Sequence, residues 1–140
     1  MSNKARPLKV LNSINLHLGI SACIVIVVGL IYGVYPSKIM PVVFDFKVES
    51  LELKNMLRAI MGLYLGLGIF WVMGIIKPTH WRTATLTNVI FMGGLAFGRT
   101  ISSTFDGISE QFTIALILEI ILMIWGILNL KSNKGNESID

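Results

Sequence analysis

"QFTIALILEIILMIWGILNL" occupies residues 111–130, and its reading decides the fold. Twenty positions carry one charge, Glu119, among eleven Ile and Leu. At 1.5 Å of rise per residue, about 20 helical residues cross the roughly 30 Å of hydrocarbon in a bilayer. A central carboxylate costs about 2.5–3.5 kcal/mol on an insertion scale, and each Ile or Leu returns roughly 0.3–0.6 kcal/mol. The segment therefore inserts in spite of its acid. It reads as a membrane-spanning helix.

Three further stretches have the same character. Leu18 to Tyr35 is almost wholly Ile, Val, Leu, Gly, Ala, Ser and Tyr around Cys23, and neither Ala59–Ile76 nor Thr83–Gly98 contains a charge. The sequence thus predicts spans at about residues 14–35, 55–76, 82–104 and 111–130, with one long connection at 36–54. Composition agrees: 140 residues, 54% hydrophobic, 14% charged, mean hydropathy +0.72. A soluble domain of this length has too little interior to hide that much apolar surface. Short connections force antiparallel neighbours. The expected fold is a single all-α domain, an integral membrane four-helix bundle running up-down-up-down. The first apolar run is longer than the roughly 7–15 residues of a signal core and no A-x-A-like site follows it, so it reads as an uncleaved helix.

Charge placement gives the orientation. Lys4, Arg6 and Lys9 precede the first span, Lys77 and Arg82 flank the second connection, and Lys131 and Lys134 follow the last span. On the other side, Lys38, Lys47 and Lys54 are diluted by Asp45, Glu49, Glu52, Asp106 and Glu110. The positive-inside bias puts both termini in the cytoplasm, with the loop at 36–54 outside. Basic residues placed this way mark span ends, so a pI near 9.4 does not indicate nucleic acid. The tail at 131–140 reads as short, polar and frayed.

Within the outer loop, Val42, Phe44, Phe46 and Val48 alternate with Val43, Asp45, Lys47 and Glu49. Period-two alternation predicts an extended segment lying across the outer mouth with its aromatics down. Ser50 is placed to cap the second span, and Glu52 suits its first turn. Trp81, beside Pro78 in the inner turn, is expected at the membrane interface. Gly29/Gly33, Gly62/Gly66 and Gly94/Gly98 are small-xxx-small pairs, which let helices approach closely in lipid or form a homodimer face.

The chemistry-bearing residues fall into one cluster and a few outliers. At 100° per residue, Thr85, Asn88, Met92, Leu95, Arg99, Ser102 or Ser103, and Asp106 share a stripe of the third span. Glu119 shares one with Ala115, Met123 and Gly126, the smallest face of the fourth. Counted from the Asp106-Gly107 turn, Arg99 and Glu119 lie at comparable depth in the outer half. Ionisable groups in lipid face the protein interior and pair. The expectation is a buried outer-half cluster of Arg58, Arg99 and Glu119, with Asp106, Tyr64 and Tyr32 contributing. It serves either a ligand or only helix register.

Secondary candidates are Asn88, His17 and Ser103. His17 shares a face with Ser13, Ser21 and Tyr35 at the inner end and reads as a packing histidine. His17 and His80 have no acid or thiol near them, which makes a poor metal site. Ser102 and Ser103 have no histidine on their side for a hydrolytic triad. There is no Gly-rich phosphate loop, and the single Cys23 allows no intrachain disulfide. No cofactor or metal is expected.

The segments "NMLRAIMGLYLGLGIFW" (55–71) and "TATLTNVIFMGGLAFGRTISSTFDG" (83–107), followed by Glu119, resemble the bacterial membrane proteins grouped as domain of unknown function 4345. These are similar in layout to DoxX-like four-helix proteins. The marks are Arg58, Gly62 and Tyr64 in an R-x-x-x-G-x-Y pattern, the pairs Gly98-Arg99 and Asp106-Gly107, and Glu119, and the likeness covers essentially the whole chain. It implies a four-helix protein of the bacterial inner membrane, and the DoxX-like layout implies quinone-linked or redox-complex company. It implies no activity.

Three function classes follow. The first is a binding or accessory protein embedded in the lipid bilayer, whose Arg/Glu pocket holds a lipid or quinone-like small molecule or docks a membrane-protein partner. The second is a transporter or channel for a small solute or protons, which needs a homo-oligomer because one four-helix unit is narrow. The third, ranked last, is an enzyme acting on lipid, with Glu119 in acid–base work and Arg99 as an electrostatic clamp.

Overall fold

The computed structural model describes residues 13–137, with side chains from 14 to 133. The basic lead at Lys4, Arg6 and Lys9, the Lys134 side chain and residues 138–140 lie outside the described residues. The order is α1 (Ser13–Gly33), α2 (Pro36–Val43), α3 (Leu51–Ile76), α4 (Pro78–Phe105) and α5 (Glu110–Glu137). All five elements are helices, and no strand occurs among the described residues. α1, α3 and α5 are each long and apolar enough to cross a bilayer, which marks a multi-pass membrane protein. α4 is as long as α5 but less apolar, because Thr85, Thr87, Asn88, Arg99, Thr100, Ser102 and Ser103 interrupt its aliphatic residues.

Neighbouring helices run antiparallel, and small residues set how close they come. Along α1, Gly29 and Gly33 are buried against Tyr64 and Met61 of α3, while Ile26 meets Gly68 further along. A Cβ at Gly29 would lie 2.8 Å from that of Tyr64, so only glycine permits this approach. Gly74 of α3 abuts Ala84 of α4, and Trp71 donates its indole N–H to Thr87 Oγ1 at 3.2 Å. Gly93 of α4 meets Met123 of α5, and Gly126 meets Val89. α1 and α5 touch only sparsely. The contacts made there gather at His17, whose Nε2 donates to the Leu122 carbonyl at 2.9 Å and whose ring stands edge-on to Trp125.

The interior holds Leu18, Ala22, Val25, Tyr64, Trp71, Trp81, Ala84, Met92 and Leu122. Polar groups share it: His17, Ser21, Thr85, Asn88 and Glu119 are buried, while Val27, Ile69, Ile90, Phe97, Ile114 and Leu128 lie on the exterior. That inversion fits hydrocarbon as solvent, since acyl chains cover the aliphatic exterior at no cost and the interior shelters what they cannot solvate.

The structure corrects several expectations. The extended outer segment is in part a helix. Pro36 occupies the first position of α2, where a missing N–H is harmless, and buried Pro36 and Met40 stand four apart on one face. Alternation survives only from Phe44 to Glu49, where Phe44, Phe46 and Val48 turn inward and Asp45, Lys47 and Glu49 outward, without a partner strand. Asp45, at φ 57°, makes the turn between these two parts. Met40, Val48 and Leu57 form a small core beneath this cap.

Ser50 caps α3 as expected, its Oγ accepting from the Leu53 N–H at 3.1 Å. Only Lys77 separates α3 from α4, and Trp81 is buried in the first turns of α4. α1 ends at Gly33, α3 begins at Leu51, and α5 continues through the expected frayed tail to Glu137. Of the three glycine pairs, only Gly29/Gly33 packs within the chain. A Cβ at Gly62, Gly66, Gly94 or Gly98 would meet nothing within 4 Å, so both other pairs lie on outer faces.

Candidate functional site

Arg99 and Glu119 meet. The guanidinium Nε donates to both carboxylate oxygens, at 2.8 Å to Oε1 and 3.0 Å to Oε2. Arg99 sits two turns before the end of α4, and Glu119 lies on the face of α5 that also buries Leu122 and Gly126. The short turn at Asp106–Ser109, with Gly107 at φ 105°, folds α5 back so that the two depths match. Both side chains are largely buried, 17% and 9% exposed.

Glu119 engages a single nitrogen of Arg99. A guanidinium carries five N–H donors, so the terminal Nη donors are not taken by the carboxylate. Tyr32 lies beside the guanidinium, Tyr64 is within electrostatic reach of both charges, and the Phe112 ring lies 4.9 Å from Cζ in a cation–π arrangement.

The pair forms one wall of a cavity of about 140 Å³. The rest of the lining is nearly all apolar: Ile24, Val25 and Val28 of α1, Met92 and Leu95 of α4, Ala115, Leu118 and Leu122 of α5. Tyr32, Tyr64, Phe44 and Phe112 complete it. Phe44, following α2, stacks on Phe112 of α5 with centroids 5.3 Å apart and planes 12° apart. Phe44 also packs against Tyr32, and Tyr32 against Tyr64, so an aromatic roof covers the end of the cavity that carries α2. Chemically the site offers hydrogen-bond donors on a charge-balanced pair at one end and an oily chamber at the other.

The remaining expected members lie elsewhere. Arg58 is exposed. α3 buries Leu57, Tyr64, Gly68, Trp71 and Gly74, and Arg58 stands about 100° round from Leu57, on the open face it shares with Gly62. Asp106 is exposed at the C-cap of α4, about 10 Å of helix rise beyond Arg99, where it accepts from Ser102 Oγ at 2.9 Å. Ser103 is half-buried and does not line the cavity. Phe44 and Phe112 were missed. The alternating aromatics signalled Phe44, but nothing in the sequence pairs it with a residue 68 positions away.

Asn88 and His17 belong to a second polar group in the half away from α2. His17 packs as expected, with Nδ1 unpartnered, and Ser21 Oγ and both ends of the Asn88 amide are also buried without partners. Val25, Met92 and Leu122, each one helical turn from a member of this group or from Glu119, form an apolar layer between it and the ion pair. No cluster of three metal-ligating side chains occurs among the described residues.

Fold and site together define an all-helical, multi-pass membrane protein with a buried arginine–glutamate pair facing an apolar chamber. The chain belongs to the family described as domain of unknown function (DUF4345), whose sequence profile matches residues 13–130. No curated protein and no solved structure shows significant similarity to it.

Proposed function

We propose that the protein is a binding protein of the bacterial inner membrane that holds a small amphiphile, lipid or quinone-like, in the chamber beside Arg99 and Glu119. α4 is its fourth span, since Leu86, Ile90, Phe97 and Ile101 give it an apolar outer face while Arg99 turns inward. In this reading the four long helices form a bundle with both termini in the cytoplasm, and α2 caps the outer end. The excess of Lys4, Arg6, Lys9, Lys77, Arg82, Lys131 and Lys134 on one side over Lys38, Lys47, Lys54 and Arg58 on the other supports that orientation.

The observation that carries the reading is that the ion pair borders an apolar chamber rather than a filled contact. Glu119 neutralises the charge of Arg99, and with Tyr32 beside them the two form the polar end of a lining that is otherwise nearly all apolar. A pair serving helix register alone gains from close packing around it, since a void forfeits the contacts of the groups that line it. A ligand whose polar end accepts hydrogen bonds and whose body is apolar matches both parts. Conduction is the weaker reading, because Val25, Met92 and Leu122 interrupt any polar path through a single chain.

Mass spectrometry of small molecules that co-purify in nanodiscs tests the proposal. Wild type is expected to retain one amphiphile class, and Ala115→Trp, which fills the chamber while keeping both charged residues, is expected to lose it. Identical small-molecule content in both samples contradicts the reading.

A further inference from the structure

Access to the chamber can be worked out wall by wall. The α1–α3 wall is closed by Gly29 against Tyr64, Gly33 against Met61 and Gly68 against Ile26. Trp71 and Tyr64 against Phe91, with the Trp71–Thr87 hydrogen bond, close the α3–α4 wall. The α4–α5 wall is closed by the Arg99–Glu119 pair and by Gly93 against Met123. Overhead, Phe44 stacks on Phe112, and below lie Val25, Met92 and Leu122.

One side remains. α1 and α5 are the sparsely packed neighbours, and their named contacts all involve His17, in the half away from α2. In the α2 half, Ile24 and Val28 of α1 and Ala115, Leu118 and Leu122 of α5 line the chamber. Leu118 is also 46% exposed, so it stands at once in the chamber and on the exterior. The gap between these helices is bordered by aliphatic side chains on both sides, which suits hydrocarbon and repels water.

We infer that the chamber opens sideways into the bilayer between α1 and α5, and that its ligand is a bilayer-resident amphiphile entering through that seam rather than a water-soluble molecule entering through the α2 end. This rests on the ligand-binding reading above and adds the route and the ligand class. A dry cavity of about 150 Å³ lined by aliphatic and aromatic side chains takes up benzene, so a chamber of about 140 Å³ takes one ring or a short acyl end. The remainder of the ligand stays among the lipids. The inserted end carries a carbonyl or ester oxygen, an acceptor with no net charge, because the Arg99 donors are already charge-balanced by Glu119.

A photoreactive aryl alkyl ketone, decyl phenyl ketone, meets this description and serves as the probe. Full-length protein in nanodiscs is irradiated with it, and labelled peptides are read by mass spectrometry, alongside acetophenone sulfonate as a water-soluble analogue. The expected result is labelling within residues 24–32 or 112–122 by the lipid-soluble ketone and not by the sulfonate. Leu118→Trp, which obstructs the seam and leaves the ion pair intact, is expected to reduce it several-fold, whereas Phe46→Ala, which loosens the cap behind Phe44 without lining the chamber, is expected to leave it unchanged. Unaltered labelling in Leu118→Trp, or strong labelling by the sulfonate that rises in Phe46→Ala, overturns the lateral route while leaving binding in the chamber intact. No chamber labelling by either ketone overturns route and binding together. Thermal unfolding of each variant confirms that a lost signal is not a lost fold.

Discussion

Arg99 shows what a single residue contributes. It makes a bifurcated hydrogen bond to Glu119 and lies over the ring of Phe112, so it ties α4 to α5 and, through the Phe44–Phe112 stack, to the cap. Phe112→Leu removes the cation–π partner and the stacking surface while keeping bulk. It is expected to destabilise the protein by about 1–2 kcal/mol, read as a lower unfolding midpoint in detergent. Ser50→Ala removes the only side-chain cap on α3 and is expected to cost about 1 kcal/mol in the same measurement. The meeting of Arg99 and Glu119 was legible in the sequence, because two opposite charges at comparable depth on either side of a short turn have few other places to go. The place of Arg58 was not. Leu57 and Arg58 are both compatible with the α3 pattern, and which faces inward depends on the rotation that α1 imposes through Gly29 and Gly33.

Helices carry the next level of explanation. The three glycine pairs look alike in the sequence and behave differently in the fold, since a Gly-x-x-x-Gly spacing states that close approach is permitted and not where a partner stands. Gly29→Ala is expected to cost about 1–3 kcal/mol through its clash with Tyr64, whereas Gly62→Ala or Gly94→Ala is expected to stay within about 0.5 kcal/mol. Thermal melts of the three variants side by side check this, and equal losses would mean that all three pairs are packed. α2 escaped the sequence reading for a related reason. Eight residues with two prolines carry too little helical pattern to outweigh the alternating run that follows them, and only the burial of Pro36 and Met40 on one face reveals the helix.

For the molecule as a whole, an aliphatic exterior and an interior that shelters His17, Ser21, Thr85, Asn88 and Glu119 among its apolar residues follow from one condition, that the surrounding solvent cannot form hydrogen bonds. The proposed topology makes a direct prediction: reporter fusions at the two ends are expected to report the cytoplasmic side, and a reporter inserted at Asp45 the opposite side. A split result between the termini would mean that α4 does not cross. Span length and hydropathy made the all-helical, membrane-crossing character legible from the sequence. The chamber was not legible, because it depends on which helix pair stays apart, and that is settled by Gly29, Gly33, Gly74 and Gly126 drawing the other pairs together.

Everything assigned to the site depends on the two opposite charges of α4 and α5 meeting inside the protein. A charge-reversal cycle in nanodiscs measures this, with Arg99→Glu, Glu119→Arg and the two combined, each followed by thermal unfolding. Each single reversal is expected to cost about 3 kcal/mol or more, since it leaves like charges buried side by side, and the combination to recover more than half of that loss. Additive losses, or single reversals that leave the unfolding midpoint unchanged, would contradict the account.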